Sequence, residues 1–147
     1  MGRISELEFY KNVLTLLAKR STCLRHNVSA ILVNSNGCII STGYNGAPRG
    51  VKHCKKCLRE ILRIPSGQRQ EICIGSHAEI NAIVQAARYG ISTDNSSMYC
   101  TDSPCSYCAK AIVNAGIRAV YYLKDYNDDL AKDILSQGKV KLMKIKE

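Results

Sequence analysis

The chain has no tryptophan, one phenylalanine and three prolines in 147 residues. Its eight tyrosines bring the aromatics to nine, and they are spread out. Single-stranded nucleic-acid surfaces interleave stacked aromatics with basic residues, and no such cluster is present. No stretch approaches eighteen apolar residues, so no membrane span is expected. The opening Met1-Gly2-Arg3-Ile4-Ser5-Glu6 lacks a basic-then-apolar leader pattern, so a cytoplasmic location is expected rather than export. Acidic residues are in the minority: 21 Lys+Arg against 12 Asp+Glu give a formal charge of +9. That excess suits an anionic ligand without identifying one. The apolar share of 46% and charged share of 22% are those of a globular chain, which argues against disorder. A single domain, 1–147, with its own core is expected.

Periodicity and punctuation predict the elements. Ser5-Glu6-Leu7-Glu8 reads as a capping box with Ile4 and Phe9 as its staple. Leu7, Tyr10, Leu14 and Leu17 then recur at helical spacing, and Lys19 and Arg20 fall in the last turn. Val28 to Val33 reads as a strand, Asn36-Gly37 as a hairpin turn, and 38–42 as the returning strand. Gly43 to Gly50 reads as irregular. Residues 51–76 read as a basic insert around a short helix at 58–64. Beyond it come a helix at 77–89 stopped by Gly90, a strand at 98–101, and a helix at 105–115. Ser103-Pro104 is expected to start that last helix and Gly116 to stop it. A strand at 118–123, a helix at 128–136 and a strand at 140–145 complete the order. Alternating strands and helices after the hairpin predict a three-layer α/β/α fold. Its mixed five-stranded sheet would carry helices on both faces.

Eight cysteines in a chain without an export signal point to metal or catalysis rather than disulfides. Two motifs carry the chemistry: His77-Ala78-Glu79, and Pro104-Cys105-Ser106-Tyr107-Cys108. Each alone is weak. Together, in this order and each opening a helix, they match the zinc-deaminase signature. Catalytic zinc takes three protein ligands and keeps one position for water. Cys105 and Cys108 would place two sulfurs on one face of a first helical turn, where free amides lower thiol pKa. His77 would be the third ligand. His77 and Glu79, two apart, share no helical face, so they converge only if the site lies beyond the helix N-terminus. Glu79 is the candidate general base, a carboxylate that is not a zinc ligand.

On these residues the chain resembles the cytidine deaminase-like superfamily, and within it the deoxycytidylate (dCMP) deaminases. Ser21-Thr22-Cys23, Gly43-Tyr44-Asn45-Gly46-Ala47-Pro48, the 77–83 stretch and the 103–110 stretch carry the likeness, which spans roughly residues 5 to 145. It implies hydrolytic deamination of dCMP to dUMP and ammonia, with Glu79 moving protons to ring N3 and to the departing amine. It also implies that Asn45 contacts the sugar or base edge. The Ala78 N–H would hold the pyrimidine O2, the Ser103 carbonyl the amino group, and Tyr126 would lie near the substrate.

The resemblance further implies a second, structural zinc held by Cys23, Cys54, Cys57 and Cys73, with His53 as a substitute ligand. Cys38 and Cys100 are expected to be small core residues. For the substrate phosphate the candidates are Arg25 and Arg49 first, then Lys52 and Lys124. The family also implies a homo-oligomer of hexamer size, and control by dCTP and dTTP with Mg²⁺ on the triphosphate. Two other readings share the motifs: a polynucleotide deaminase acting on RNA or DNA, and a non-catalytic zinc-binding module. Glu79 argues against the module, since a structural zinc has no use for a free carboxylate.

Overall fold

A computed structural model describes residues 2–146. Five strands form one sheet in the order β2-β1-β3-β4-β5. They are β1 (Ser29–Val33), β2 (Ile39–Tyr44), β3 (Ser97–Asp102), β4 (Ala119–Lys124) and β5 (Lys141–Lys144). β1 pairs antiparallel with both β2 and β3, while β3, β4 and β5 run parallel. The sheet is therefore mixed, as expected.

Strand alternation divides the core in two. Ala30, Leu32, Met98, Cys100 and Val120 face one way and pack with residues of α3 (Ala78–Arg88), α4 (Ser106–Asn114) and α5 (Asp129–Gln137). Ile31 and Val33 face the other way, against Tyr10 and Leu14 of α1 (Glu6–Ala18). Helices thus lie on both faces. Among the described residues no helix is long and apolar enough to cross a membrane.

Caps fix the helix positions. The Ser5 hydroxyl accepts the Glu8 amide at 3.1 Å. Ile4, Leu7 and Phe9 stay exposed, so α1 seats itself with Tyr10 and Leu14. It ends at Ala18, leaving Lys19 as its cap and no basic residue in the last turn. Asp128 caps twice: one carboxylate oxygen accepts the Ala131 amide of α5 at 3.0 Å, the other the Ser106 amide of α4 at 2.8 Å.

Four expectations are corrected. β2 continues through Gly43 and Tyr44, so the irregular stretch begins only at Asn45. The insert helix α2 is one turn, Leu58–Ile61, followed by a 3₁₀ turn at Gln70–Ile72. α4 starts at Ser106 with Cys105 as its N-cap, so Ser103 and Pro104 lie ahead of it. Cys100 is buried as expected, but Cys38 is exposed, because it precedes β2 at the hairpin.

Gly43 decides how closely α3 approaches the sheet. A β-carbon there would run into the Ala78 carbonyl and lie 2.5 Å from the Ala82 amide nitrogen. With only hydrogen at this position, α3 settles onto β2. The Ser41 hydroxyl donates to the Ala82 carbonyl at 2.6 Å, and the Asn81 side chain donates to the Tyr44 carbonyl at 2.8 Å. These bonds set the height of the α3 N-terminus, which bears His77 and Glu79.

Candidate active site

His77 is the N-cap of α3, with extended backbone at φ −74° and ψ 152°. Its ring therefore points off the helix end, and Glu79 follows in the first turn. Cys105 caps α4 in the same extended form, and Cys108 sits one turn into that helix. The two helix starts face each other. His77 Nδ1 lies 3.4 Å from Cys105 Sγ and 3.4 Å from Cys108 Sγ. Tetrahedral zinc with bonds of about 2.0 Å to nitrogen and 2.3 Å to sulfur would hold N and S about 3.5 Å apart. The donor set and its spacing therefore fit zinc. Among the described residues this is the one group of three or more His, Cys, Asp or Glu side chains with ligand atoms mutually within 4.8 Å. It has three members, so a fourth position is left without a protein ligand.

The electrostatics agree with that use. A hydrogen bond from the Cys108 thiol, reinforced by His77, pulls the Cys105 thiol well below its ordinary range, while the same bond and burial push Cys108 up. The bond to Cys105 raises the His77 pKa. Glu79 is only 4% exposed. Burial pushes its carboxyl up to about 7, against the opposing effects of its own backbone amide and His77. A carboxyl that exchanges its proton near neutrality is suited to move protons at pH 7.

The cavity beside this set is lined by Asn45, Ala78, Ser103 and Tyr126 among others. The Ala78 N–H is a first-turn amide, which the helix itself cannot satisfy. Among the described residues no donor reaches the Ser103 carbonyl. The Ser103 hydroxyl is instead engaged with the Tyr126 backbone, donating to its carbonyl at 2.9 Å and accepting its amide at 2.7 Å. Asn45 is more committed than expected. Its side-chain oxygen accepts from Ser21 Oγ at 2.6 Å and the Val28 amide at 2.9 Å, and its nitrogen donates to the His26 carbonyl at 2.8 Å. One amide hydrogen remains for a ligand.

Other expected residues lie elsewhere. Arg49, Lys52 and Lys124 are exposed and Arg25 is partly buried, and none of them lines the cavity. The four cysteines of the expected second zinc do not close into a cage, since no three of them meet the ligand spacing. Cys23 and Cys73 reach the cavity wall. Their sulfurs accept the Arg25 and Gly75 amides at 3.5 and 3.4 Å. Cys54 is exposed, and Cys57 stands at the N-cap of the single-turn α2. Conversely, His26, Arg59, Gln70 and Asp102 line the cavity without any signal in sequence spacing. They come from four separate segments that only the fold brings together.

The sequence profile described as the cytidine and deoxycytidylate deaminase zinc-binding region matches residues 4–124. The chain belongs to this family. Among family proteins it is 38% identical over 141 residues to ComE operon protein 2 of Bacillus subtilis, covering 95% of this chain and 71% of that protein. It is 37% identical over 123 residues to the deoxycytidylate deaminase of Schizosaccharomyces pombe, covering 82% of this chain but only 38% of that protein. The family fold is equally clear. The crystal structure of a dCMP deaminase from cyanophage S-TIM5, in complex with dCMP and dUMP, superposes with a TM-score of 0.81 at 33% identity. That superposition covers 99% of this chain and all of the cyanophage chain.

Proposed function

We propose that this chain is an enzyme that deaminates dCMP, replacing the 4-amino group of the cytosine ring by oxygen and yielding dUMP and ammonia. One observation carries the reading: a buried carboxyl, Glu79, stands beside a three-ligand His77-Cys105-Cys108 set that has no fourth protein ligand. The deoxycytidylate deaminases at 32–37% identity, and the cyanophage structure with dCMP and dUMP, support the substrate.

His77, Cys105 and Cys108 would hold zinc, which would supply the acidity that makes water a nucleophile near neutral pH. Glu79 would take a proton from the attacking water and give it to ring N3 as the C4–O bond forms. As the C4–N bond breaks, Glu79 would carry the proton of the new C4 hydroxyl to the departing amine, leaving the C4 carbonyl and ammonia. The balance is one water consumed and one ammonia released. The Ala78 amide donates to the pyrimidine O2 and the Ser103 carbonyl accepts from the 4-amino group. Both backbone groups are fixed before substrate arrives, so they cost little reorganisation during reaction. Tyr126 closes the cavity from the side of the insert, with its hydroxyl 3.5 Å from Gln70 Nε2.

The test is ammonia release from dCMP, CMP and deoxycytidine side by side. The proposal expects dCMP to be turned over best, and equal rates on dCMP and deoxycytidine would refute the substrate. Control by dCTP and dTTP with Mg²⁺, and hexamer assembly, belong to the same proposal on the strength of the resemblance. Adding each triphosphate to the assay, and measuring the mass in solution, tests them.

A further inference from the structure

β3 and β4 end beside the cavity, and their last paired residues are Asp102 and Lys124. One residue on, the Ser103 amide still donates to the Lys124 carbonyl at 2.9 Å, as the next bond of a parallel ladder should. In the same register the following bond would run from the Tyr126 amide to the Ser103 carbonyl. It does not form. The Tyr126 amide donates instead to the Ser103 hydroxyl at 2.7 Å. The chain then turns through Pro104, which has no N–H, and Cys105 caps α4. Among the described residues no backbone amide reaches the Tyr126 carbonyl. The Ser103 hydroxyl serves that group too, donating to it at 2.9 Å.

One side chain thus replaces both main-chain partners that a continued ladder would have used. A serine hydroxyl holds one donor hydrogen and accepting lone pairs, so it fills both roles at once. Alanine can fill neither. Ser103 is buried and Tyr126 half-buried, so an amide left without a partner here is costly. The acceptor that ladder geometry offers that amide is the Ser103 carbonyl.

We infer that the Ser103 side chain is a positioning residue: by holding the Tyr126 amide, it keeps the Ser103 carbonyl free to accept from the 4-amino group of the substrate. The inference rests on the dCMP reading above and concerns how the chain tells an amino group from a carbonyl at ring position 4. A free carbonyl attracts the amino N–H of dCMP and repels the O4 of dUMP, so it favours substrate over product. Without the hydroxyl, the Tyr126 amide bonds to that carbonyl and draws it toward β4, away from the cavity. Tyr126 stays beside β3 in either arrangement, so the cavity keeps its wall.

The experiment measures kcat/KM for dCMP, and the inhibition constant of dUMP, in the zinc-loaded wild type, S103A, S103T and S103C. In S103A, kcat/KM is expected to fall about 5- to 150-fold, the range for a buried polar group deprived of its partner. The dUMP inhibition constant should stay level or tighten, because the repelling carbonyl has turned away. S103T keeps the hydroxyl and should recover most of the loss. S103C, a weak donor and acceptor of similar size, should follow S103A and carries the comparison should S103A not fold. A merely loosened cavity would weaken dCMP and dUMP alike. A parallel loss for both ligands, no change in either, or S103T behaving as S103A overturns the inference. A crystal structure of S103A, or of S103C in its place, is the second arm. It should show the Tyr126 amide within hydrogen-bond distance of the residue-103 carbonyl, and an amide held by water with the carbonyl still free also overturns it. If the wild type does not turn over dCMP, the dCMP reading fails, and the crystal structure still decides whether the hydroxyl keeps that carbonyl free.

Discussion

Replacing Gly43 by alanine tests how the catalytic helix is seated. Gly43 lies in regular extended backbone paired with Ala30, and its φ is not positive, so alanine is allowed conformationally. The difficulty is steric. The new methyl would collide with the Ala78 carbonyl and the Ala82 amide nitrogen. Both are main-chain atoms, so no side chain can rotate away. Relief requires α3 to lift from β2 by about 1 Å to restore ordinary contact. Overpacking of this kind costs about 1–3 kcal/mol, and the absence of any flexible neighbour puts G43A at about 3 kcal/mol. At roughly 2–4 °C per kcal/mol for a chain of this size, the melting temperature should drop by about 6–12 °C. Lifting α3 also moves His77 and Glu79 away from Cys105, and a displacement of about 1 Å costs around 10²-fold in rate. Thermal melting and ammonia release from the same sample read both effects. A suitable control is G50A: its β-carbon meets nothing within 4 Å, though its φ is +78°, so it should lose only about 1 kcal/mol of backbone strain. If G43A melts within 1 °C of wild type and keeps full activity, the close seating of α3 is wrong.

E79Q should keep its fold and its zinc while losing about 10²–10⁴-fold in kcat, the usual contribution of a positioned acid–base group; turnover near wild type would remove Glu79 from the mechanism. D128A loses two helix caps at once and should cost about 1–2 kcal/mol in urea melts at pH 7. Burial opposes ionisation of Asp128, but the Ser106 and Ala131 amides override it and hold the carboxyl below its usual range. Its stabilisation is therefore present above the unfolded value of about 3.9 and disappears as pH falls through the lower folded value, so wild type and D128A should converge in acid. Elemental analysis should find one zinc per chain, held by His77, Cys105 and Cys108; two per chain, falling to one in C57A, would show that a metal draws the insert cysteines together. Chelation should abolish turnover, and added zinc should restore it.

The framework could be read from the sequence because local signals and the fold agree. Ser5 and Asp128 act as the caps their residue types suggest, and both metal motifs sit at the starts of helices whose ends Gly90 and Gly116 mark. The demand that His77 and Glu79 meet beyond the end of a helix is met by an N-cap histidine. The insert was less legible. Its basic residues carry no periodicity, and nothing in their spacing separates Arg59, inside the cavity, from Arg49 and Lys52 outside it. Gly43 looked like loop because it opens a run rich in glycine; its role depends on contact with a helix 35 residues away. Asn45 was recognised as important, but three of its hydrogen bonds hold neighbouring chain segments rather than leave it free for a ligand.

The two helices that converge on His77 and Cys105 both begin there. Their free amides present partial positive charge where sulfur carries negative charge. The same sulfurs are packed into an apolar core with Ala82, Ala109 and Ile112. Collapse of the polypeptide and placement of the ligands are therefore one event, unlike small zinc domains whose folding energy comes from the ion. The metal-free chain should therefore keep its fold in a thermal melt and gain activity when zinc is added. Metal supply would then govern how much of the pool is active rather than how much of it survives.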